Sequence, residues 1–270
     1  MSVDAGFVNV AKYIVKKTPI GHLGKSLENL RAVVGEQVMD TDDVKKEIHN
    51  YGENHLSAVN NDVTNSKVVI SPLTKDSQGF YYDQGQKVKF RIGLESGAVE
   101  EAQSIDIQND LRDVIEQKVK QYLQKCYKMD VTRYNVYYDG GANKIVVLIS
   151  VHNLNLKSFW SGEWLSTWEL DLNGKQVKGT LKANTYYYEE GNIQFSLDTK
   201  FNGSASGGDN SAIADKLSEF IKTSENSVQL ELEKVYDELS ENYIKPLRRK
   251  LPVTGTKMNW NINQLNLAQK

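Results

Sequence analysis

The feature that most constrains this 270-residue chain is one apolar stripe near its C-terminal end. Ile213, Leu217, Phe220, Ile221, Val228, Leu232, Val235, Leu239 and Tyr243 fall at the three- and four-residue steps that place side chains on one face of an α-helix. Beginning after the Ser206, Gly207, Gly208 loop and running to about residue 246, the stripe predicts about forty helical residues. At 1.5 Å per residue this is roughly 60 Å of rod, longer than an ordinary domain helix and able to cross a whole sheet. Its charge is lopsided. Between residues 211 and 241 eight acids (Asp215, Glu219, Glu225, Glu231, Glu233, Asp237, Glu238, Glu241) stand against Lys216, Lys222 and Lys234. Beyond Glu241 no acid remains, and the last segment carries Lys245, Arg248, Arg249, Lys250, Lys257 and Lys270 among apolar Leu251, Val253, Met258, Trp260, Ile262, Leu265 and Leu267.

Two readings of that tail stand side by side. Cations in a last helical turn complement the helix dipole and aid solubility without any partner. Pro246 and Pro252 bracket Arg248–Lys250, however, so the helix stops or kinks there and a dipole role fades beyond them. The remaining cations then read as a binding tail for an acidic surface. The net charge of −2 argues against a nucleic-acid partner. A lone cysteine, Cys126, excludes a disulfide within the chain and suits a reducing compartment. No apolar run approaches 18 residues and the N-terminus lacks a signal-peptide plan, so a soluble, cytosolic protein is expected.

Taken in order, the first sixty residues predict three short helices with stripes Phe7, Ala11, Ile14; Leu23, Leu27, Leu30, Val34; and Val44, Ile48, Tyr51, His55. Breaks fall at 18–21 and 35–40, and short loops imply an up-down-up bundle. Residues 61–103 form a small β region, with strands at Lys67–Ser71, Phe80–Tyr82 and Val88–Leu94. Helical period returns over 104–128, where Ile107, Leu111, Val114, Ile115, Val119, Tyr122, Leu123 and Cys126 share a face, which makes Cys126 a buried structural thiol. From 129 to 200 strand follows strand: Tyr134–Asp139, Ile145–His152, Trp164–Leu170, Val177–Tyr188 and Ile193–Leu197, broken at Gly140-Gly141, 153–155, Asn173-Gly174 and 190–192. Short connections force antiparallel neighbours, so this is a five-stranded meander covered by the long helix of residues 207–246, with 247–270 as its tail. The fold class is α+β. Either sheet edge, unless blunted, invites pairing with another subunit.

Motifs for chemistry fail on inspection. Gly24-Lys25-Ser26 ends like a phosphate-binding loop, but Pro19 stands where its first glycine belongs. His22, His49, His55 and His152 are scattered, so no zinc site forms, and no cofactor is expected. Glu189-Glu190 sits in a turn and reads as solvated.

Ser158–Leu170, SFWSGEWLSTWEL, holds three of the four tryptophans. Alone this reads as core or sheet-face packing, with a ligand platform as the lesser alternative. Together with LKANTYYYEEGNIQF at Leu181–Phe195 and LRRKLPVTGTKMNW at Leu247–Trp260, it resembles the α subunit of the F-actin capping protein. That family carries a Phe-Trp-Asn-Gly-x-Trp strand, a Tyr-Tyr-Glu-x-Gly-Asn-x-Gln hairpin and an Arg-Arg-x-Leu-Pro-Val-Thr-x-Thr-Lys tail in this order and at similar spacing. It implies a helical stalk, a sheet built from five strands of each of two subunits, and a long helix from each laid across it. It implies a function too: calcium-independent, steric capping of the barbed end of the actin filament by the C-terminal tail, with no bond made or broken. The implied partners are the barbed end and a β subunit or second copy, with acidic phosphoinositides as inhibitors, in the cytoplasm and cytoskeleton. Actin contacts carry over to Lys245, Arg248 and Arg249, with Lys250 and Lys257 as support and Trp260, Ile262 and Leu265 docking as an amphipathic segment. Gly255 stands where the family often has arginine, and Glu163 and Leu165 replace arginines of the tryptophan strand, which should make that surface less basic. The competing readings are a small-ligand domain built on the tryptophan-rich sheet and a phosphoinositide-binding module.

Overall fold

The computed structural model describes residues 4–61, 66–93, 97–188, 193–239 and 242. The chain divides into two units, 1–221 and 222–270.

Four helices open the first unit, α1 (Ala5–Lys17), α2 (Leu23–Val34), the single turn α3 (Glu36–Met39) and α4 (Asp42–Asn54). Asp4 caps α1 by accepting the Gly6 N–H at 2.7 Å, and Gly35, at φ 83°, ends α2 in a backbone conformation that an L side chain resists. The extra turn α3 fills what the sequence reads as a break. On α1 the buried face is Val8, Ala11 and Val15, not Phe7, Ala11 and Ile14. The helix carries two apolar stripes, and the one through Phe7, Val10 and Ile14 is left 38–50% exposed. Val8, Ala11 and Val15 pack with Leu30, Val38, Met39, Val44 and Tyr51.

Five short strands follow, β1 (Ala58–Asn61), β2 (Ser66–Val69), β3 (Tyr81–Asp83), β4 (Val88–Ile92) and β5 (Val99–Ser104). They form a β1-β2 hairpin and a three-stranded β3-β4-β5 sheet. Their shared core is Val68, Ile70, Tyr81, Val88 and Phe90. The polar sequences of β1 and β5 hide them from a periodicity argument.

Helix α5 (Asp110–Cys126) starts later than its apolar period suggests, because β5 runs to Ser104 and the Asn109 side chain caps the Arg112 N–H at 2.9 Å. Ile107 therefore lies outside the helix and is exposed. Cys126 is exposed as well, against expectation. It is the last helical residue, and Tyr127 beyond it packs on the core in its place.

The large sheet is an antiparallel meander of β6 (Thr132–Asp139), β7 (Lys144–Asn155), β8 (Trp160–Asp171), β9 (Gln176–Tyr187) and β10 (Ile193–Ser204), in the order β10-β9-β8-β7-β6. Asp139 and Asp171 accept backbone N–H groups inside the first and third turns, which suits turn positions. Strand β7 runs past the expected break at 153–155, and a single 3-10 turn at Leu156–Ser158 returns the chain into β8.

Helix α6 (Asn210–Leu239) follows, and the chain it was expected to occupy beyond Leu239 falls outside the described residues apart from 242. Its first turns, through Ile213, Ala214, Leu217 and Ile221, pack on the sheet face formed by Ile145, Val147, Ile149, Trp168, Leu170 and Val177. The long helix is not alone there. Leu111, Ile115, Val119, Tyr122 and Leu123 of α5 complete the same core. A 17-residue helix spans about 25 Å, and five strands at about 4.8 Å spacing are about 19 Å across, so α5 is long enough to share the cover. At the centre Trp168 stacks on Phe201 at 5.6 Å, and Gly179 on β9 leaves the gap its ring occupies. The opposite face is covered only in part, where Leu56 and Val69 meet Val146, Leu148 and Leu165.

The two sheet edges differ. Along β6, Gln84 gives its Nε2–H to the Tyr138 carbonyl at 2.9 Å and accepts the Tyr138 N–H at 2.8 Å, so one amide side chain imitates a paired strand. Arg112 Nε donates to the Val136 carbonyl at 2.9 Å, and Asn135 donates to the Tyr82 carbonyl at 2.8 Å. Strand β10 ends the sheet with no strand beyond it among the described residues.

One buried carboxylate ties α4 to the small sheet. Glu53 accepts hydrogen bonds from Tyr81 and from Lys75 Nζ at 2.9 Å, with His49 Nε2 at 3.5 Å. Burial alone would raise its pKa, but the bonds from His49, Tyr81 and Lys75 outweigh burial and hold it down to about 2. A depressed acid stabilises the fold above its unfolded pKa and loses that contribution as pH falls through the folded value. Glu53→Gln should therefore cost about 2 kcal/mol at neutral pH, and its gap from wild type should narrow between about pH 4.5 and 2 in urea titrations. A gap independent of pH in that window would contradict the assignment.

Candidate functional site

The residues singled out by sequence for binding, Lys245, Arg248, Arg249, Lys250, Lys257, Trp260, Ile262 and Leu265, all lie outside the described residues. Within the second unit the described chain is helical to Leu239, with Leu230 and Val235 exposed. The structure instead brings together two clefts, one buried polar cluster and one open strand, all in the first unit.

The first cleft, of about 450 Å³, lies among Asp83, Gly85, Glu116, Lys120, Thr132 and Asn135. Titrating groups converge here, as an active site would require. Burial pushes the Asp83 carboxyl up to about 6, with the Glu116 charge adding to the rise and the Gln86 N–H and Arg112 opposing it. Much of this charge is nonetheless taken up within the cleft. Asp83 accepts the Gln86 N–H at 3.0 Å, while Arg112 spans Asp113 at 2.6 Å, Glu116 at 2.8 Å and the Val136 carbonyl. The arrangement clasps α5, β6 and the β3-β4 turn.

The second cleft, of about 310 Å³, opens beneath β8, β9 and β10 beside the end of α1, with Lys16, His55, Ser161, Glu163, Asn184 and Ser196 in its lining. Glu163 was read from sequence as making a surface less basic; it is 5% exposed, and its neighbour Leu165 belongs to the apolar contact under β7 and β8. Neither is a surface residue, because both face the end of α4 and not solvent. His55, the C-cap of α4, gives Nδ1–H to both Glu163 oxygens at 2.9 and 2.8 Å. His152 Nε2 donates to the His55 carbonyl at 2.9 Å. Burial pulls the His152 pKa below the ordinary imidazole value, against the pull of Glu163 and of the bond to the His55 carbonyl. Sequence reasoning missed the cluster. His55 and Glu163 are 108 residues apart and share no period; only the cross-strand register, which sets Glu163 opposite both His152 and Asn184, signals part of it.

Of the tryptophan strand, Trp168 is the core residue the packing reading expects, while Trp160 and Trp164 are half-buried. Gly24-Lys25-Ser26 sits inside α2, so it forms no loop around a phosphate. No three His, Cys, Asp or Glu side chains among the described residues are grouped to hold a metal ion.

Strand β10 has two unlike faces. Gln194, Ser196, Asp198, Lys200 and Asn202 are exposed on one, while Phe195, Leu197, Thr199 and Phe201 are half-buried on the other. An open backbone edge with one polar and one apolar face is the form of a strand made for pairing.

Comparisons with known proteins bear on this architecture. The family model described as F-actin capping protein alpha subunit matches residues 11–270. The F-actin-capping protein subunit alpha of Neurospora crassa is 25% identical over 259 residues, 95% of this chain and 93% of the relative. Its counterpart from Saccharomyces cerevisiae is 28% identical over 261 residues, 94% and 92% of the two chains. Among solved structures, the homodimeric actin capping protein alpha subunit from Plasmodium berghei has the same fold, with a TM-score of 0.73 at 20% identity over 92% of this chain and 98% of that one. With the meander, the long C-terminal helix and a family match over nearly the whole length, this chain belongs to the family of the F-actin capping protein alpha subunit.

Proposed function

We propose that this chain caps the barbed end of actin filaments as one subunit of a dimer, working by steric blockage and not by chemistry. The observation that carries the reading is the family match from residue 11 to residue 270, which takes in the basic tail as well as the sheet. Association with the actin cytoskeleton follows from it, within the cytoplasm. Lys245, Arg248 and Arg249 are the proposed first contacts with actin, supported by Lys250 and Lys257, while Trp260, Ile262 and Leu265 dock as an apolar edge. A guanidinium fork pairs two-pronged with a carboxylate where lysine offers a point charge, so the two arginines should matter most. Acidic phosphoinositides would compete for the same cations.

The partner subunit, a second copy or a β subunit, would join at β10. Three features support that edge over the other. Gln84 and Arg112 already occupy the Tyr138 and Val136 positions of the β6 edge, β10 has no strand beyond it among the described residues, and the exposed Phe7, Val10 and Ile14 stripe on α1 is a second apolar surface that a subunit could cover.

Two outcomes follow. Replacing Arg248 and Arg249 together by glutamate turns attraction into repulsion. At about 1 to 2 kcal/mol for each contact, affinity for barbed ends should fall about ten- to a hundredfold, mostly through slower association, with circular dichroism unchanged. Elongation from filament seeds measures this, and a folded, dimeric double mutant that blocks growth at the wild-type concentration would remove the tail from the proposal. Hydrogen exchange tests the edge. Amides of residues 193–204 should become protected on assembly while those of 132–139 stay unchanged; protection of the β6 segment alone would place the partner on the wrong side.

A further inference from the structure

Beneath the sheet, His152, Glu163, Asn184 and Ser196 stand directly opposite one another on β7, β8, β9 and β10, forming one row across four strands that ends at the open edge. The row is hydrogen-bonded. Asn184 Nδ2 donates to Glu163 Oε1 at 2.6 Å, and Ser196 Oγ donates to Asn184 Oδ1 at 2.5 Å. Its directions are not interchangeable. A buried carboxylate held by His55 can only accept, so the Asn184 amide must turn its nitrogen to Glu163 and its oxygen to β10. The single Ser196 proton is then spent on Asn184. What Ser196 presents at the exposed edge is lone pairs alone.

We infer that Glu163 is a positioning residue for subunit pairing: through Asn184 it sets Ser196 as a hydrogen-bond acceptor at the edge of β10, and so selects a partner strand that places a donor opposite it. This rests on the reading of β10 as the pairing edge. A second copy carries suitable donors on the same face at Gln194, Lys200 and Asn202, whereas registers that set Ser196 against another Ser196 or against Asp198 bring two acceptors together. The row thus bears on register, the property a sheet joined edge to edge must define. If Glu163 loses its charge, the amide is free to flip, Ser196 can offer its proton outward, and the preference is lost.

The test is a double-mutant cycle on the dimer the chain forms, followed by sedimentation across a dilution series, with hydrogen exchange of residues 193–204 measured alongside. Ser196→Ala, an exposed change, and Glu163→Gln, which keeps the shape, should each raise the dissociation constant about tenfold. The double mutant should be no weaker than either single mutant, because both remove the same directed bond. A purely structural effect of Glu163→Gln would instead add to that of Ser196→Ala, and additivity overturns the proposal. So do single mutants that dimerise as wild type while β10 is protected, which would leave the pairing edge standing and remove only the row. If β10 gains no protection on assembly, the edge reading itself fails and the row's role falls with it.

Discussion

Every backbone N–H and C=O in a sheet needs a partner, and a meander of five strands necessarily leaves two rows of them at its edges. This requirement organises the molecule. One row is met in part from within the chain, by Gln84 at the Tyr138 N–H and carbonyl and by Arg112 of α5 at the Val136 carbonyl. That solution fixes where the small sheet and α5 must sit relative to β6. Arg112, buried against the strand, shares its charge with Asp113 and Glu116, as a buried guanidinium must be paired. The other row, on β10, meets no further strand among the described residues. Asymmetry between edges, more than the sheet itself, gives the fold a direction for assembly.

Much of this was legible before any coordinates. The meander announced itself because strand-forming runs are punctuated by turns that carry Asp139 with Gly140-Gly141 and Asp171 with Asn173-Gly174, residues whose short side chains close turns. Helix α6 was legible from its period. The misreadings have physical reasons. α1 carries two apolar stripes, and periodicity cannot say which one meets the chain's own core. Cys126 keeps the helical period of α5 yet sits at its end, where Tyr127 takes the inward place. β1 and β5 were invisible because AVNN and VEEAQS pair through backbone and not through an apolar face. The tail motif is wholly sequence-borne, since Lys245 to Leu265 fall outside the described residues.

Glu163 shows how far an isolated residue can mislead. The family resemblance sets arginine at this position, and a carboxylate there reads as a change of surface charge. Its true setting is beneath the sheet, where an unpaired charge would be costly to bury. It persists because His55 reaches across from α4 to both of its oxygens. The pair also joins the end of the helical segment to β8, so one exchange of charge is absorbed by a residue in a distant part of the chain. Residue-by-residue transfer from a family pattern misses compensation of this kind.

The apolar stripe on α1 has a consequence beyond architecture. Phe7, Val10 and Ile14 leave the ribosome well before β10 does. A chain in synthesis thus displays a sticky helix before the proposed pairing strand has been made. Such an order favours capture of a companion while translation is still under way, and exposes any surplus copy to chaperones and proteases. The amount of this subunit in a cell should then follow the supply of its companion more closely than the level of its own messenger RNA.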